Sequence, residues 1–149
     1  MSVEQQFCTF TVAGLFFGVE VLKVQEVIRY QEMTPVPLAP AVVNGLINLR
    51  GQIVTAIDLR RSLELSPRPE GMLPMNVVVR TPDGAVSLLV DEIGDVVNVD
   101  SSAFERPPET LSRVASELIS GVYKLEKRLL LVLDTEKAVS FCGVAAAAA

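Results

Sequence analysis

The chain carries one pattern twice. Laying Asn44–Leu59 ("NGLINLRGQIVTAIDL") over Ser120–Thr135 ("SGVYKLEKRLLLVLDT") puts Gly45 on Gly121, Leu49 on Leu125, Ile53 on Leu129, Ile57 on Leu133 and Asp58 on Asp134, at an offset of 76. Laying "VEVLKVQEVI" over "LLVDEIGDVV", at an offset of 69, puts Val19, Val21, Val24, Glu26, Val27 and Ile28 on Leu88, Val90, Ile93, Asp95, Val96 and Val97. The difference of offsets, 76 less 69, places a seven-residue insertion in the second proline-bearing connector. Chance coincidences among apolar residues are common, so the glycine and aspartate pairs carry most of the weight. A duplicated chain of this size folds as two related units that need each other for a core. The expectation is two small β-barrels sharing one core, with strands free to be exchanged between them.

The local pattern fits strands. In "FCTFTVAGLFFGVEV", Cys8, Phe10 and Val12 alternate with Thr9 and Thr11. Ala13-Gly14 then turns the chain into a second strand over Phe16–Val21. "VLKVQEVIRY" is β-branched and mostly apolar, and reads as strand. "TPVPLAP" holds three prolines and forces extended backbone. A short helix is expected over Ala41–Asn44, ending at Gly45. A strand then runs to Leu49, a turn falls at Arg50-Gly51, and a long strand covers Gln52–Leu59. "LRRSLEL" reads as one helical turn, "SPRPEGMLP" as a loop, and Met75–Asp100 as strands around a turn at Pro82-Asp83-Gly84. "SSAFERPPETLSRVAS" is the second connector, "ELISGVYKLEKRLLLVLDT" gives two strands, and "EKAVSF" is a short terminal helix. The fold class is therefore all-β with short helices, organised as one domain over 6–142 with repeat segments at about 16–60 and 85–136. Residues 143–149, with a run of alanines, are assigned to a low-complexity tail.

Composition narrows the function. Half of the 149 residues are hydrophobic, and mean hydropathy is +0.41, so part of the surface is expected to be hidden against partners. No apolar run approaches the ~20 residues that span a bilayer, and "MSVEQQF" lacks the features of a signal peptide. Cytoplasmic location and no membrane insertion follow as expectations. Net charge is −5 and the basic residues are scattered, which argues against nucleic acid. Cys8 and Cys142 have no metal-ligand spacing and are expected to be reduced and buried. The chain has no histidine, which removes Ser-His, Cys-His and His-metal chemistry. With no glycine-rich phosphate loop or acidic cluster, neither catalysis, a metal nor a cofactor is expected.

Two charged positions stand out against the duplication. Arg50-Gly51 falls on Glu126-Lys127, so the hairpin tip accepts the opposite charge in the other copy. A turn explains Gly51, which takes φ > 0 freely, but leaves Arg50 unexplained. A solvated loop arginine is the bland explanation, and the duplicate position weakens it. Glu26 falls on Asp95, so an acid recurs, and structure and function are evenly weighted there. Asp58 and Asp134 recur too and read as caps of the turn that follows.

"VLKVQEVIRY", the proline segment, "VNGLINLRGQIVTAIDLR" and "VDEIGDVV" resemble the CheW family of bacterial chemotaxis coupling proteins, in order, over about Phe7–Phe141. The resemblance implies two five-stranded SH3-like barrels. It implies a non-catalytic adaptor joining chemoreceptor signalling tips to the regulatory domain of a CheA-type histidine kinase, within receptor arrays. By the same resemblance the receptor-binding residues are Val24, Glu26, Arg50 and Val96, and Gly45 is implicated in binding a partner. Thr55 and Ser87 depart from the proline and glycine the family often carries near these positions. Receptor tips are helical hairpins, which a groove with an apolar floor and charged rim would grip.

In "RLLLVLD", Leu129, Leu131 and Leu133 point one way and Leu130 and Val132 the other, so the second face must meet the sister barrel or another protein. The rival to an adaptor is a small-molecule or peptide-binding barrel. A CheW-like coupling protein of surface motility or another output is a variant of the adaptor reading, and an enzyme using Lys or carboxylate chemistry is the third class, set back by the absence of histidine and of a phosphate loop.

Overall fold

The computed structural model describes residues 4–38, 43–82, 84–106, 113–125 and 128–141. Eleven strands are described: β1 Glu4–Val12, β2 Leu15–Glu20, β3 Val24–Ile28, β4 Val43–Leu49, β5 Gln52–Asp58, β6 Met75–Thr81, β7 Gly84–Val90, β8 Glu92–Asp100, β9 Phe104–Glu105, β10 Ile119–Lys124 and β11 Leu129–Leu133. Three short helices accompany them: α1 Leu59–Ser62, α2 Arg113–Leu118 and α3 Thr135–Phe141. The strands form a sheet ordered β3-β6-β7-β5-β4 and a second ordered β8-β1-β2-β11-β10-β9. The fold is mostly β, as the residue pattern indicates.

The five strands of one sheet repeat five of the six in the other. Shifts of 69 and 76 carry the parallel pair Thr55–Val86 of β5 and β7 onto Leu131–Phe17 of β11 and β2. A shift of 76 carries Gly45–Ala56 onto Gly121–Val132, with the same bulge beside each glycine. A shift of 69 carries Val24–Val79 onto Ile93–Phe10, and Val27–Val77 onto Val96–Cys8, again with a shared bulge. The equivalence includes β1 and β6, ahead of the residues where sequence similarity is visible. It also shows a reciprocal exchange. The leading hairpin of each repeat, β1–β2 or β6–β7, sits in the sheet built by the later strands of the other repeat.

Burial follows the two-residue period. One large cluster draws Phe10, Val12, Phe17, Val19, Leu131 and Leu133 from one sheet and Ile57, Val77, Val79, Val86, Leu88 and Val90 from the other. The opposite faces make two private clusters: Ile47, Leu49, Val54, Ala56, Val78 and Leu89 in one sheet, and Phe7, Val99, Tyr123, Leu130 and Val132 in the other. Both faces of β11 are thus covered inside the molecule, while Leu129 at its start stays exposed. The chain leaving β3 crosses to the far edge of its sheet, where Thr34 pairs with Leu46 of β4. The chain leaving β8 does the same through β9, which pairs with β10.

Several local expectations are corrected. Val43 and Asn44 lie in β4, not in a helix, because Val43 and Gly45 pair with Ile57 and Ala56 of β5; Ala41 and Val42 lie outside the described residues. Val21–Lys23 forms one 3-10 turn before β3, shortening the strand expected there. The second connector contains β9 and α2, which its prolines conceal. Cys8 is only partly buried, and Cys142, Asp83, Glu126-Lys127 and the C-terminal tail lie outside the described residues. Ser87, at a departure from the family pattern, is buried and donates to Asn76 Oδ1 at 2.7 Å.

Candidate functional site

The β4–β5 hairpin tip presents the first candidate residues. Arg50 (φ 51°) and Gly51 (φ 89°) both take positive φ, as the two-residue type I′ turn requires. Asn48 Oδ1 accepts from the Gly51 N–H at 2.9 Å, fastening the turn. Arg50 therefore stands in backbone that a non-glycine residue enters at a cost of about 1–2 kcal/mol. Its side chain is 77 % exposed and donates to Glu26 Oε2, whose side chain is 19 % exposed. Glu26 lies on β3 and Arg50 at the end of β4, the two opposite edges of one sheet. The ion pair spans the seam where those edges face each other.

The other family-implied residues are placed differently. Val24 is half-buried and packs against the shared core, so much of its apolar area is already used inside the molecule. Gly45 is buried in β4. A side chain there would meet Thr34 O at 2.8 Å and Met33 Cβ at 3.0 Å. Its duplicate, Gly121, lies closer still beneath the ring of Phe104. In both copies a glycine makes room for the connector that crosses the sheet. Val96 is 56 % exposed on β8, in the other sheet, at the duplicate position of Val27, which is also exposed. The structure thus joins Glu26 to Arg50, turns Val24 inward, and puts Val96 on the second sheet.

Asp58 and Asp134 both cap. Asp58 Oδ1 accepts from Arg60 N at 3.1 Å at the start of α1, and Asp134 Oδ1 accepts from Lys137 N at 3.1 Å at the start of α3. Such contacts satisfy N–H groups that a helix start leaves free.

One charged cluster is invisible in the sequence. Arg60 is buried and grips Asp91 with two bonds, Nε to Oδ1 at 2.9 Å and Nη2 to Oδ2 at 2.6 Å. Asp91 Oδ2 also accepts from the Ala13 N–H at 2.7 Å. Arg60 Nη1 donates to the carbonyls of Ser66 and Pro67 at 2.9 and 3.2 Å, and Arg68 Nη2 to Asp58 Oδ1 at 3.3 Å. Burial pushes the Asp91 carboxyl up, but the bonds from Arg60 and Ala13 and the charges of Arg60 and Arg68 outweigh it and hold it below its ordinary value. Asp91 joins β7 to β8, where the chain passes from one sheet to the other, so the cluster ties both sheets together. The available signal was an acid directly after the apolar run "SLLV" and an arginine in "DLR"; neither reveals its partner 31 positions away.

Among the described residues no group of three or more Cys, Asp or Glu side chains could hold a metal ion, and no helix is long and apolar enough to cross a membrane.

Comparison with known proteins fits this geometry. The CheW-like domain family matches residues 6–141. The chain is 31 % identical over 139 residues to chemotaxis protein CheW of Klebsiella aerogenes, covering 93 % of this chain and 84 % of that protein. It is 29 % identical over 139 residues to chemotaxis protein CheW of Treponema pallidum, covering 91 % and 82 %. Scaffolding protein TtCheW from Thermoanaerobacter tengcongensis shares the fold, with a TM-score of 0.79 at 23 % identity over 89 % of this chain and 90 % of that one. With both repeats inside the matched span, the chain belongs to the CheW-like family.

Proposed function

We propose that this chain is a non-catalytic adaptor in chemotaxis signalling, coupling the cytoplasmic tips of chemoreceptors to a CheA-type histidine kinase. The observation that carries the receptor half of this reading is the Glu26–Arg50 pair at the sheet seam. A strained turn holds the arginine outward while the glutamate sits half-sheltered beside it. An apolar contact with a charged rim suits one face of a helical hairpin. The pair selects register and orientation more than it adds affinity. Val96 and Val24 belong to the same reading, Val24 by shaping the floor from within, and Gly45 by fixing the strand that carries the tip.

The kinase half rests on apolar surface that both sheets display at matching places. Ile53 and Leu129 are duplicates and both are exposed, as is Val27 on β3. A kinase regulatory domain of the same double-barrel fold would meet such surface. Work in the cytoplasm on membrane-associated receptor arrays belongs to this proposal, with many modest contacts acting together.

Mixing the protein with a kinase regulatory domain and a receptor cytoplasmic fragment tests it. A ternary complex weakened by Arg50→Glu is expected. If Glu26→Arg combined with Arg50→Glu restores receptor binding fully, the pair only closes the seam and the site fails. A cleft of about 440 Å³ lined by Gln5, Gln6, Glu20, Val21, Leu22 and Asn98 keeps the ligand-binding module as the second reading. Saturable uptake of a small metabolite without either protein partner would favour it.

A further inference from the structure

Neither half of the chain holds a complete sheet. The first half, Glu4–Ser62, supplies β1–β5 and α1; the second, Met75–Phe141, supplies β6–β11, α2 and α3. Hairpin β1–β2 pairs with β8 and β11, and hairpin β6–β7 pairs with β3 and β5. One covalent crossing, Leu63–Pro74, connects the halves. We propose that two copies of this chain exchange halves, the first half of each completing the second half of the other, to give a closed dimer that keeps every strand pairing of the monomer.

Three observations carry this. The hairpin of each half pairs on both sides with strands of the other half, so a counterpart half from a second chain offers the same partners. The buried contacts that tie the sheets, Arg60 to Asp91 and Ala13 to Asp91, also run between halves and recur after exchange. The crossing itself divides into an anchored part and a loose part. Up to Arg68 its own half holds it through Leu65 N to Arg60 O at 2.7 Å, Arg60 to Ser66 and Pro67, and Arg68 to Asp58; Arg68 also pairs with Asp91 of the second half at 3.5 Å, a contact that recurs after exchange like that of Arg60. From Pro69 to Pro74 the backbone bond among the described residues is Met72 N to Pro69 O at 3.1 Å, closing a turn with Gly71 at φ 87°. Opening that turn extends six residues to about 20 Å without disturbing the anchors. A closed turn favours one chain; a turn that cannot close favours two. Because Glu26 and Arg50 lie in the same half, the dimer carries two intact seam pairs, whether or not the proposed receptor role holds.

Two experiments test the exchange on the full chain. Deleting Glu70 and Gly71 removes the turn; chromatography with light scattering should then show twice the 16.1 kDa mass, with the circular dichroism of the parent. Separately, full-length Arg60→Asp and Asp91→Arg chains are refolded from denaturant alone and as a mixture. Alone, each buries like charges and melts below the parent. In the mixture, exchange brings the two altered halves together and the two unaltered halves together, so a one-to-one dimer should melt closer to the parent than either chain alone. A folded, monomeric deletion variant overturns the proposal. So does a mixture that melts like its separate components, including one that dimerises without that gain. If the deletion variant does not fold, the mixture decides.

Discussion

Arg50 combines a positive φ, high exposure and an ion pair with Glu26, and these predict opposite behaviour in stability and binding. Arg50→Glu sets two carboxylates across the seam, but an exposed pair is worth only about 0–1 kcal/mol, so the melting temperature should move by a few degrees at most. Receptor-fragment binding should fall clearly, since like charges at a complementary rim cost several kcal/mol; unchanged binding in a pull-down or titration would remove Arg50 from the site. Gly45→Val should do the reverse, because its Cβ meets Thr34 O at 2.8 Å. Overpacking of this kind costs about 1–3 kcal/mol, readable in a denaturant melt, and a variant as stable as the parent would leave Gly45 free for a partner contact. The turn at Arg50-Gly51 was legible because one glycine after a strand announces it. The Glu26–Arg50 pair was not, since it depends on two sheet edges meeting 24 positions apart in sequence. The packing role of Gly45 was hidden for the same reason: the residue that crowds it arrives on another segment.

Among elements, the junction between β7 and β8 carries the most concentrated polar contact. Replacing Asp91 with Ala leaves Arg60 buried without its carboxylate, a change that costs about 3–5 kcal/mol; a stability loss under about 1 kcal/mol would show that the cluster is not a tie. The same contact predicts acid sensitivity. Asp91 binds its proton more weakly folded than unfolded, so its stabilisation is present above the ordinary carboxylate value near pH 4. It is lost as pH falls through the depressed folded value. Unfolding midpoints measured from pH 6 to pH 2 should fall for the parent and stay flatter for Asp91→Asn. The caps at Asp58 and Asp134 were readable from their recurrence, and the terminal helix from the segment "EKAVSF" itself. Strand β9 and helix α2 were masked by a proline-rich composition, because a two-residue strand and a six-residue helix give too few positions for a period to show.

At the scale of the molecule, the duplication carried most of what could be read in advance, since an offset constrains long-range pairing in a way that local propensity does not. It reached only as far as similar residues: β1 and β6 pair alike although their residues differ. The exposed Val27, Ile53 and Leu129 predict a negative heat-capacity change if a kinase regulatory domain binds there; a value near zero in calorimetry across several temperatures would exclude apolar burial as the driving force. The reciprocal exchange of hairpins has a further consequence for how the chain is made. Strand β2 ends at Glu20, and its parallel neighbour β11 ends at Leu133. At synthesis rates of 5–20 residues per second, the interval between them is roughly 6–23 s. Throughout it Phe17 lacks its β11 neighbour Leu131, so the nascent hairpin needs shielding until β11 has left the ribosome.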